Sequence, residues 1–203
     1  ISLDEMIPFG RAVARSAKNS LVVIDLPFGS YELGPDQALE NSIHVMKQTG
    51  AAAVKLEGAK LAQISTLVDN GIPVMGHVGF TPKTVHALSG FKVQGRSDED
   101  ALRITKECLD IEEAGAFAIV LEMVPAALAN AISGKLRIPT IGIGAGSGCD
   151  AQILVWQDFA GLSAKTPSFA KSYLSLRQQL SQAASAYRND VIAGDFPSFE
   201  QSF

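Results

Sequence analysis

Three short β-branched runs in this chain end in an acid: Val22-Val23-Ile24-Asp25, Val54-Lys55-Leu56-Glu57 and Ile119-Val120-Leu121-Glu122. Each is followed within a few residues by Gly or Pro and then by a helical stretch. A strand buried on both faces reads as a continuous apolar run, so a charged residue at its C-terminal edge has few structural uses. In the second run the two-residue side-chain period places Lys55 and Glu57 on one face. Lys55 then suits a substrate carboxylate. Glu57 suits a metal, held directly or through water, because hard divalent cations such as Mg²⁺ prefer oxygen ligands and retain waters. A simple ion pair is the plainer alternative for the two. Asp25 precedes Leu26-Pro27, where proline extends the chain and leaves the carboxylate at a rim, as a metal ligand or as a cap for the next turn. Glu122 sits among Leu121, Met123 and Val124, apolar neighbours that penalise its charge and suit it to accept a proton as a general base; a rim salt bridge is the alternative. His77 lies in Met75-Gly76-His77-Val78-Gly79, where the glycines permit close approach of a ligand, although a lone histidine equally serves as a satisfied structural group. His44 and His86 fall on expected helices as surface residues.

The elements that must position these residues alternate along the chain. Ser2 and Glu5 form a capping box that opens a helix to about residue 17, before a strand over 21–25. Pro35 at a first helical position starts a helix to about residue 49, followed by a strand over 52–57. Further helices are expected over 61–70, 81–88, 97–114 and 125–136, and strands over 73–79, 117–123 and 140–143. A last strand is expected over 152–156, and the tail from 167 to about 193 reads as helical. This alternation implies parallel pairing, in an open doubly wound sheet or a barrel. Chemistry-bearing residues follow almost every strand instead of clustering at one switch point, which favours an α/β (βα)8 TIM barrel. Only five or six strands are countable, and the leading helix has no strand before it. The expectation is therefore a single (βα)-barrel domain over 1–203, N-terminally incomplete, with its first strands before Ile1 and with C-terminal helices at its end. A chain opening on Ile1 without Met fits that expectation.

Composition excludes several classes. With 203 residues, 47% hydrophobic and 19% charged, the chain is of ordinary globular make-up. A net charge of −4 and a pI near 5.4 give no footprint for nucleic acid or an anionic membrane. No apolar run approaches the roughly 18 residues of a membrane span. Cys108 and Cys149 make neither a metal motif nor a disulfide framework, which suits a reducing, cytoplasmic compartment. The glycine-rich stretch 142–148 departs from G-x-G-x-x-G and comes late in the chain, so it reads as a backbone bend around a ligand at a barrel mouth, not as a dinucleotide loop. Gly95-Arg96, after Lys92-Val93-Gln94, marks either a lid or a polar surface loop.

These residues also carry a resemblance. Asp25-Leu26-Pro27-Phe28, Val54-Lys55-Leu56-Glu57-Gly58, Gly76-His77-Val78-Gly79-Phe80-Thr81-Pro82, Val93-Gln94-Gly95-Arg96, Leu121-Glu122-Met123-Val124-Pro125 and Ile141-Gly142-Ile143-Gly144-Ala145-Gly146 resemble the ordered motifs of the ketopantoate hydroxymethyltransferase family. The likeness spans nearly the whole chain, including Phe196-Pro197 and Ser202-Phe203. It implies a (βα)8 barrel, a homo-oligomer that is a decamer in many members, and the first committed step of pantothenate synthesis. That step moves a one-carbon unit from 5,10-methylenetetrahydrofolate, the folate co-substrate, to 3-methyl-2-oxobutanoate, giving 2-dehydropantoate. Carried over position by position, the resemblance makes Asp25 a Mg²⁺ ligand that also touches the keto acid and Glu57 a further metal-site carboxylate. It makes Lys55 substrate-binding, places His77 at the substrate site, and makes Glu122 the proton acceptor. Mg²⁺ would chelate the 2-oxo acid and stabilise its enolate as Glu122 removes the C3 proton.

The departures are also informative. A Gly-Asp-Ser segment of the family, with another metal-ligand aspartate and a substrate-binding serine, has no counterpart from Ile1 onward. Loops at Ala59-Lys60 and near Ser163-Ala164 are one or two residues short of the family pattern, and Ala59 and Ala151 stand where glycines are usual; residues missing from the sequence would account for both short loops. Two other functions compete. One is a Mg²⁺-dependent barrel of the isocitrate lyase and phosphoenolpyruvate mutase type, which commonly uses a nucleophilic loop cysteine that neither Cys108 nor Cys149 convincingly supplies. The other is a non-catalytic assembly subunit, against which the joint presence of Asp25, Lys55, Glu57 and Glu122 weighs.

Overall fold

Ser2 opens the first helix, α1 (Leu3–Ser16), with its hydroxyl accepting the Glu5 N–H at 3.2 Å while the Glu5 carboxylate accepts the Ser2 N–H at 2.7 Å. This reciprocal cap satisfies two donors that the helix leaves orphaned. The computed structural model describes residues 1–87 and 90–203, and these form two compact units, Ile1–Ile153 and Leu154–Phe203. After α1 the first unit continues as β1 (Val23–Asp25), α2 (Pro35–Thr49), β2 (Ala53–Lys55), α3 (Leu61–Asp69) and β3 (Val74–Gly79). It is completed by α4 (Asp98–Glu113), β4 (Ala118–Glu122), α5 (Ala126–Ser133), β5 (Thr140–Ile143) and β6 (Ala151–Gln152). The helix from Pro35 to Thr49 has the bounds its sequence implies: Pro35 supplies a pre-set φ at the first turn, and Gly50 ends it in the left-handed region at φ 79°.

All six strands join one sheet in the order β1-β2-β3-β4-β5-β6, and every neighbouring pair is parallel. A doubly wound sheet reverses direction at a switch point, whereas sequential order is the winding of a barrel wall. Ile24, Val54, Val74, Ile119 and Leu121 from the strands belong to the same core as Val45 of α2, Ile64 and Leu67 of α3, and Ile104 and Ile111 of α4. Each such side chain contributes about 1.5–3 kcal/mol on full burial. Gly76 lets α4 approach closely, since a Cβ there would stand 2.6 Å from the Ile111 side chain.

Several elements are shorter than the sequence suggests. The second strand stops at Lys55, which leaves Glu57 in the following loop. The chain nevertheless stays extended, with the Leu56 N–H donating to Met75 O at 3.1 Å and the Gly58 N–H to His77 O at 2.8 Å. The period of two therefore survives past the strand. The expected helix over 81–88 is a single 3₁₀ turn, Pro82–Thr84, and its last residue, Leu88, lies outside the described residues. Here the Lys83 N–H goes to the Glu57 carboxylate at 3.0 Å. The strand expected over 152–156 has only its first residue in β6, and Trp156 opens the next helix instead.

The second unit holds α6 (Trp156–Phe159) and α7 (Leu176–Ala193), the latter shorter than the helical tail expected from 167. Leu174 and Ser175 lie close to Gly161, and the Leu176 N–H donates to Ala160 O at 3.0 Å. Asp158 accepts the Ser163 hydroxyl at 2.6 Å. No residue of α7 is buried. Among the described residues no helix is long and apolar enough to cross a membrane.

Candidate active site

The site lies at the C-terminal ends of β1 to β4, within the first unit. Asp25 closes β1 and Lys55 closes β2, directly paired in register. Lys55 Nζ is 2.7 Å from Asp25 Oδ2 and 3.9 Å from Glu57 Oε1. His77, on β3, has Nδ1 4.0 Å from Glu57 Oε1 and Nε2 3.2 Å from Glu122 Oε2, at the end of β4. The structure thus brings Asp25, Lys55, Glu57, His77 and Glu122 into one continuous set of neighbours. His44 does not join them; it lies exposed on α2, 4.0 Å from Asp4. His86 is exposed in a turn, not on a helix.

Two further side chains complete the cluster. Lys83 Nζ lies 2.5 Å from Asp25 Oδ1 and 3.4 Å from Glu57 Oε1. The hydroxyl of Tyr31, a fully buried residue, accepts the Glu57 backbone N–H at 3.2 Å. Neither was singled out in the sequence. Lys83 had a signal, as a cation directly after Thr81-Pro82 in the loop that leaves β3. Tyr31 had none, since an aromatic in the loop between β1 and α2 reads as core. Replacing Tyr31 with Phe is expected to strand the Glu57 N–H and to lower stability by about 1–2 kcal/mol; urea denaturation would show a lower midpoint at unchanged slope, and an unmoved midpoint would mean that the contact is energetically idle.

Burial works against both charges of the Asp25–Lys55 pair, with different results. Burial pulls the Lys55 ammonium below its ordinary value, and the neighbouring Lys83 adds to this against the opposing pull of Asp25. For Asp25 burial acts upward, but Lys55 and Lys83 together outweigh it and hold the carboxyl below the usual carboxylate range. Burial, as the largest cause, pushes the Tyr31 phenol far above its usual value, so its hydroxyl keeps its proton. His77 is only 2% exposed, yet neither of its ring nitrogens makes a hydrogen bond. Nε2 is near enough to Glu122 in distance but not in angle. Two unpartnered buried nitrogens facing two carboxylates leave room in the bonding pattern for a polar ligand group.

The backbone around Glu122 is clamped. Met123 takes φ 49°, a left-handed conformation that costs a side-chain-bearing residue about 1–3 kcal/mol and concentrates at functional sites. It is held there by its N–H donating to Ile143 O at 2.9 Å and its carbonyl accepting the Gln94 N–H at 2.9 Å. The Glu122 carbonyl accepts the Phe80 N–H at 2.8 Å. Gly79, at φ 91°, lies so close that a Cβ would run into that carbonyl oxygen.

Within the stretch 142–148, two of the glycines pack on α5. A Cβ at Gly146 would collide with Ala126, and one at Gly148 would stand 2.7 Å from the Asn130 side chain. At Gly95 the neighbours are Leu128 and Ile104, and the Gly95 N–H is taken by the Asp100 carboxylate. That part of the loop is tied to the N-terminus of α4.

Asp25 and Glu57 are the side chains that could hold a metal. Among the described residues no group of three or more His, Cys, Asp and Glu gathers as a closed metal site. Two hard carboxylates, of which Glu57 stands 4.0 Å from an unpartnered His77 nitrogen, fit an ion that binds through one or two carboxylates and keeps other positions for water or substrate, as Mg²⁺ does.

Sequentially wound parallel strands with charged groups at their C-terminal ends define an α/β fold of the TIM-barrel-like kind. A crystal structure from Burkholderia cenocepacia J2315 described as a phosphonomutase aligns with a TM-score of 0.59 at 12% identity, over 93% of this chain and 79% of that one. A phosphonopyruvate hydrolase aligns with a TM-score of 0.51 at 16% identity, over 99% of this chain and 73% of that one. Identities this low speak for the fold alone. The ketopantoate hydroxymethyltransferase family profile matches residues 1–199. The 3-methyl-2-oxobutanoate hydroxymethyltransferase of Thermobifida fusca is 52% identical over 205 residues, covering 100% of this chain and 73% of its own length. The chain belongs to the ketopantoate hydroxymethyltransferase family, a family of transferases.

Proposed function

We propose that the protein transfers a hydroxymethyl group from 5,10-methylenetetrahydrofolate to 3-methyl-2-oxobutanoate, giving 2-dehydropantoate for pantothenate biosynthesis. The observation that carries this reading is the line from Asp25 and Lys55 through Glu57 and His77 to Glu122, which sets a carboxylate-binding cation at one end and a free carboxylate at the other. Lys55 binds the carboxylate of the 2-oxo acid. Asp25 and Glu57 would hold Mg²⁺, which when bound supplies Lewis-acid polarisation of the 2-oxo group. Glu122, whose side chain is 14% exposed, accepts the C3 proton at Oε2. His77, with both ring nitrogens unpartnered, binds the substrate. Water supplies the hydroxyl oxygen as both C–N bonds that hold the one-carbon unit to the folate break, leaving tetrahydrofolate, and C3, now electron-rich, bonds to that carbon, whose oxygen takes up the proton.

In this reading the six strands belong to a (βα)8 barrel, and residues 1–203 to a single barrel domain. The enzyme works in the cytoplasm as a homo-oligomer, a decamer by family resemblance. Support for assembly comes from α7: 18 residues with none buried, and with Leu180, Tyr187 and Ile192 exposed, make a poor helix without a partner surface. Support against a nucleophilic-cysteine mechanism comes from Cys108, whose thiol burial pushes up to about 12.

Lys55→Ala is expected to raise the KM for the keto acid roughly 10–100-fold, the loss of one charged hydrogen bond, with a smaller change in kcat. Steady-state kinetics check this, and an unchanged KM would make Lys55 structural. The function itself is tested by supplying both substrates and Mg²⁺ and following 2-dehydropantoate by mass spectrometry. Formation of that product is expected, and its absence from folded protein overturns the reading.

A further inference from the structure

Two carboxylates converge here from the ends of neighbouring strands, Asp25 after β1 and Glu57 past β2. They repel unless a cation lies between them. Two ammonium groups are present, and they are not equivalent. Lys55 reaches Asp25 Oδ2 at 2.7 Å but stands 3.9 Å from Glu57 Oε1. Lys83 is the closer bridge, at 2.5 Å from Asp25 Oδ1 and 3.4 Å from Glu57 Oε1, and its backbone N–H donates to Glu57 Oε2 at 3.0 Å. Its side chain is enclosed, at 14% exposure, and its ammonium stands 5.8 Å from the Tyr31 ring centroid. The role assigned above to Lys55, gripping the substrate carboxylate, does not account for a second buried lysine turned onto both candidate metal ligands.

A divalent cation held by Asp25 and Glu57 needs the oxygen lone pairs that Lys83 engages. Placing it beside an ammonium on the same two carboxylates, one of them the covered Glu57, sets like charges together, so one must yield to the other. Resting on the reading that these two carboxylates hold Mg²⁺, we propose that Lys83 is an internal competitor for the divalent cation. Its ammonium bridges Asp25 and Glu57 while no metal is bound, leaves them when the metal arrives, and thereby weakens metal binding while keeping the empty site assembled. The stem carries the ammonium from one loop position, so the exchange requires only side-chain rotation and no movement of the strands.

The test is Mg²⁺ titration of the full chain by calorimetry, without substrates, for the native protein, Lys83→Gln and Lys83→Arg. Lys83→Gln is expected to bind Mg²⁺ about tenfold more tightly or better, whereas Lys83→Arg, which keeps the cation, binds no more tightly than the native protein. In EDTA the Gln variant is expected to melt below the native protein, with saturating Mg²⁺ abolishing the difference. If the Gln variant fails to fold, Lys83→Met preserves the apolar stem and is expected to show the same tightening. Equal or weaker Mg²⁺ binding in the neutral variants overturns the competitor role, even where the native protein makes 2-dehydropantoate. Tighter binding in the variants with no product from the native protein keeps the competitor role and overturns the transferase reading. A native protein and variants that bind no Mg²⁺ overturn the competitor role together with the metal site it rests on.

Discussion

Glu122→Gln is expected to lower turnover about 10³-fold or more while leaving the fold and keto-acid binding intact, since positioned general bases contribute roughly 10²–10⁴-fold. Gln is close in shape, so the clamps on the Glu122 backbone remain: the Phe80 N–H on its carbonyl and the Ile143 carbonyl on the Met123 N–H. What is lost is the basicity of the carboxylate oxygen that takes the C3 proton, since an amide oxygen accepts hydrogen bonds but not protons. The side chain is 14% exposed and 3.2 Å from His77 Nε2, whereas Glu57, the other carboxylate at this imidazole, stands on its Nδ1 side. The check is twofold. Calorimetric affinity for 3-methyl-2-oxobutanoate should change little, and kcat should collapse; retained turnover would remove Glu122 as the base.

Gly79→Ala should damage both stability and catalysis. At φ 91° an alanine is strained by about 1–2 kcal/mol, and its Cβ would also strike the Glu122 carbonyl oxygen. Val124 is the second obstacle, with a methyl carbon 2.8 Å from the added atom. Relief requires β3 and β4 to separate at the point where Gly79 and Glu122 pair in register. The expected loss is about 2–4 kcal/mol, a Tm lower by roughly 5–15 °C at this chain length. The folded fraction should also lose activity, because the movement displaces the Glu122 carboxylate. A variant with native Tm and kcat would show that this contact between strands is slack. Gly76→Ala is the informative comparison, since it crowds Ile111 of α4 instead and should destabilise without selectively lowering kcat.

How much of this was legible in the sequence depends on what places each residue. Asp25, Lys55, Glu57 and Glu122 announce themselves because a β-branched run ending in a charge specifies both a strand and its C-terminal edge. The α2 helix is legible for local reasons, with Pro35 at one end and Gly50 at the other. The capping box at Ser2 is equally local. Sequential strand order is not local. The alternation allowed an open sheet or a barrel, the charged residues after almost every strand favoured the barrel, and the pairing of β1 through β6 in order shows strands wound in barrel sequence. Lys83 and Tyr31 were hidden because loops deliver them, and a loop's path is set by contacts that no periodicity encodes. The packing of Gly146 and Gly148 was hidden for a related reason. A missing Cβ makes room equally for a ligand or for a helix, and here the room is taken by Ala126 and Asn130 of α5.

The functional reading rests on one chemical event, removal of the C3 proton of the 2-oxo acid at the strand ends. That event can be watched alone, by proton NMR of 3-methyl-2-oxobutanoate in D₂O with the native protein and Mg²⁺ and without folate. The result expected is loss of the C3 proton signal as deuterium enters, stopped by EDTA and absent from Glu122→Gln. Folded, Mg²⁺-loaded native protein that leaves the C3 signal untouched would contradict enolisation at this site and the hydroxymethyl transfer built on it.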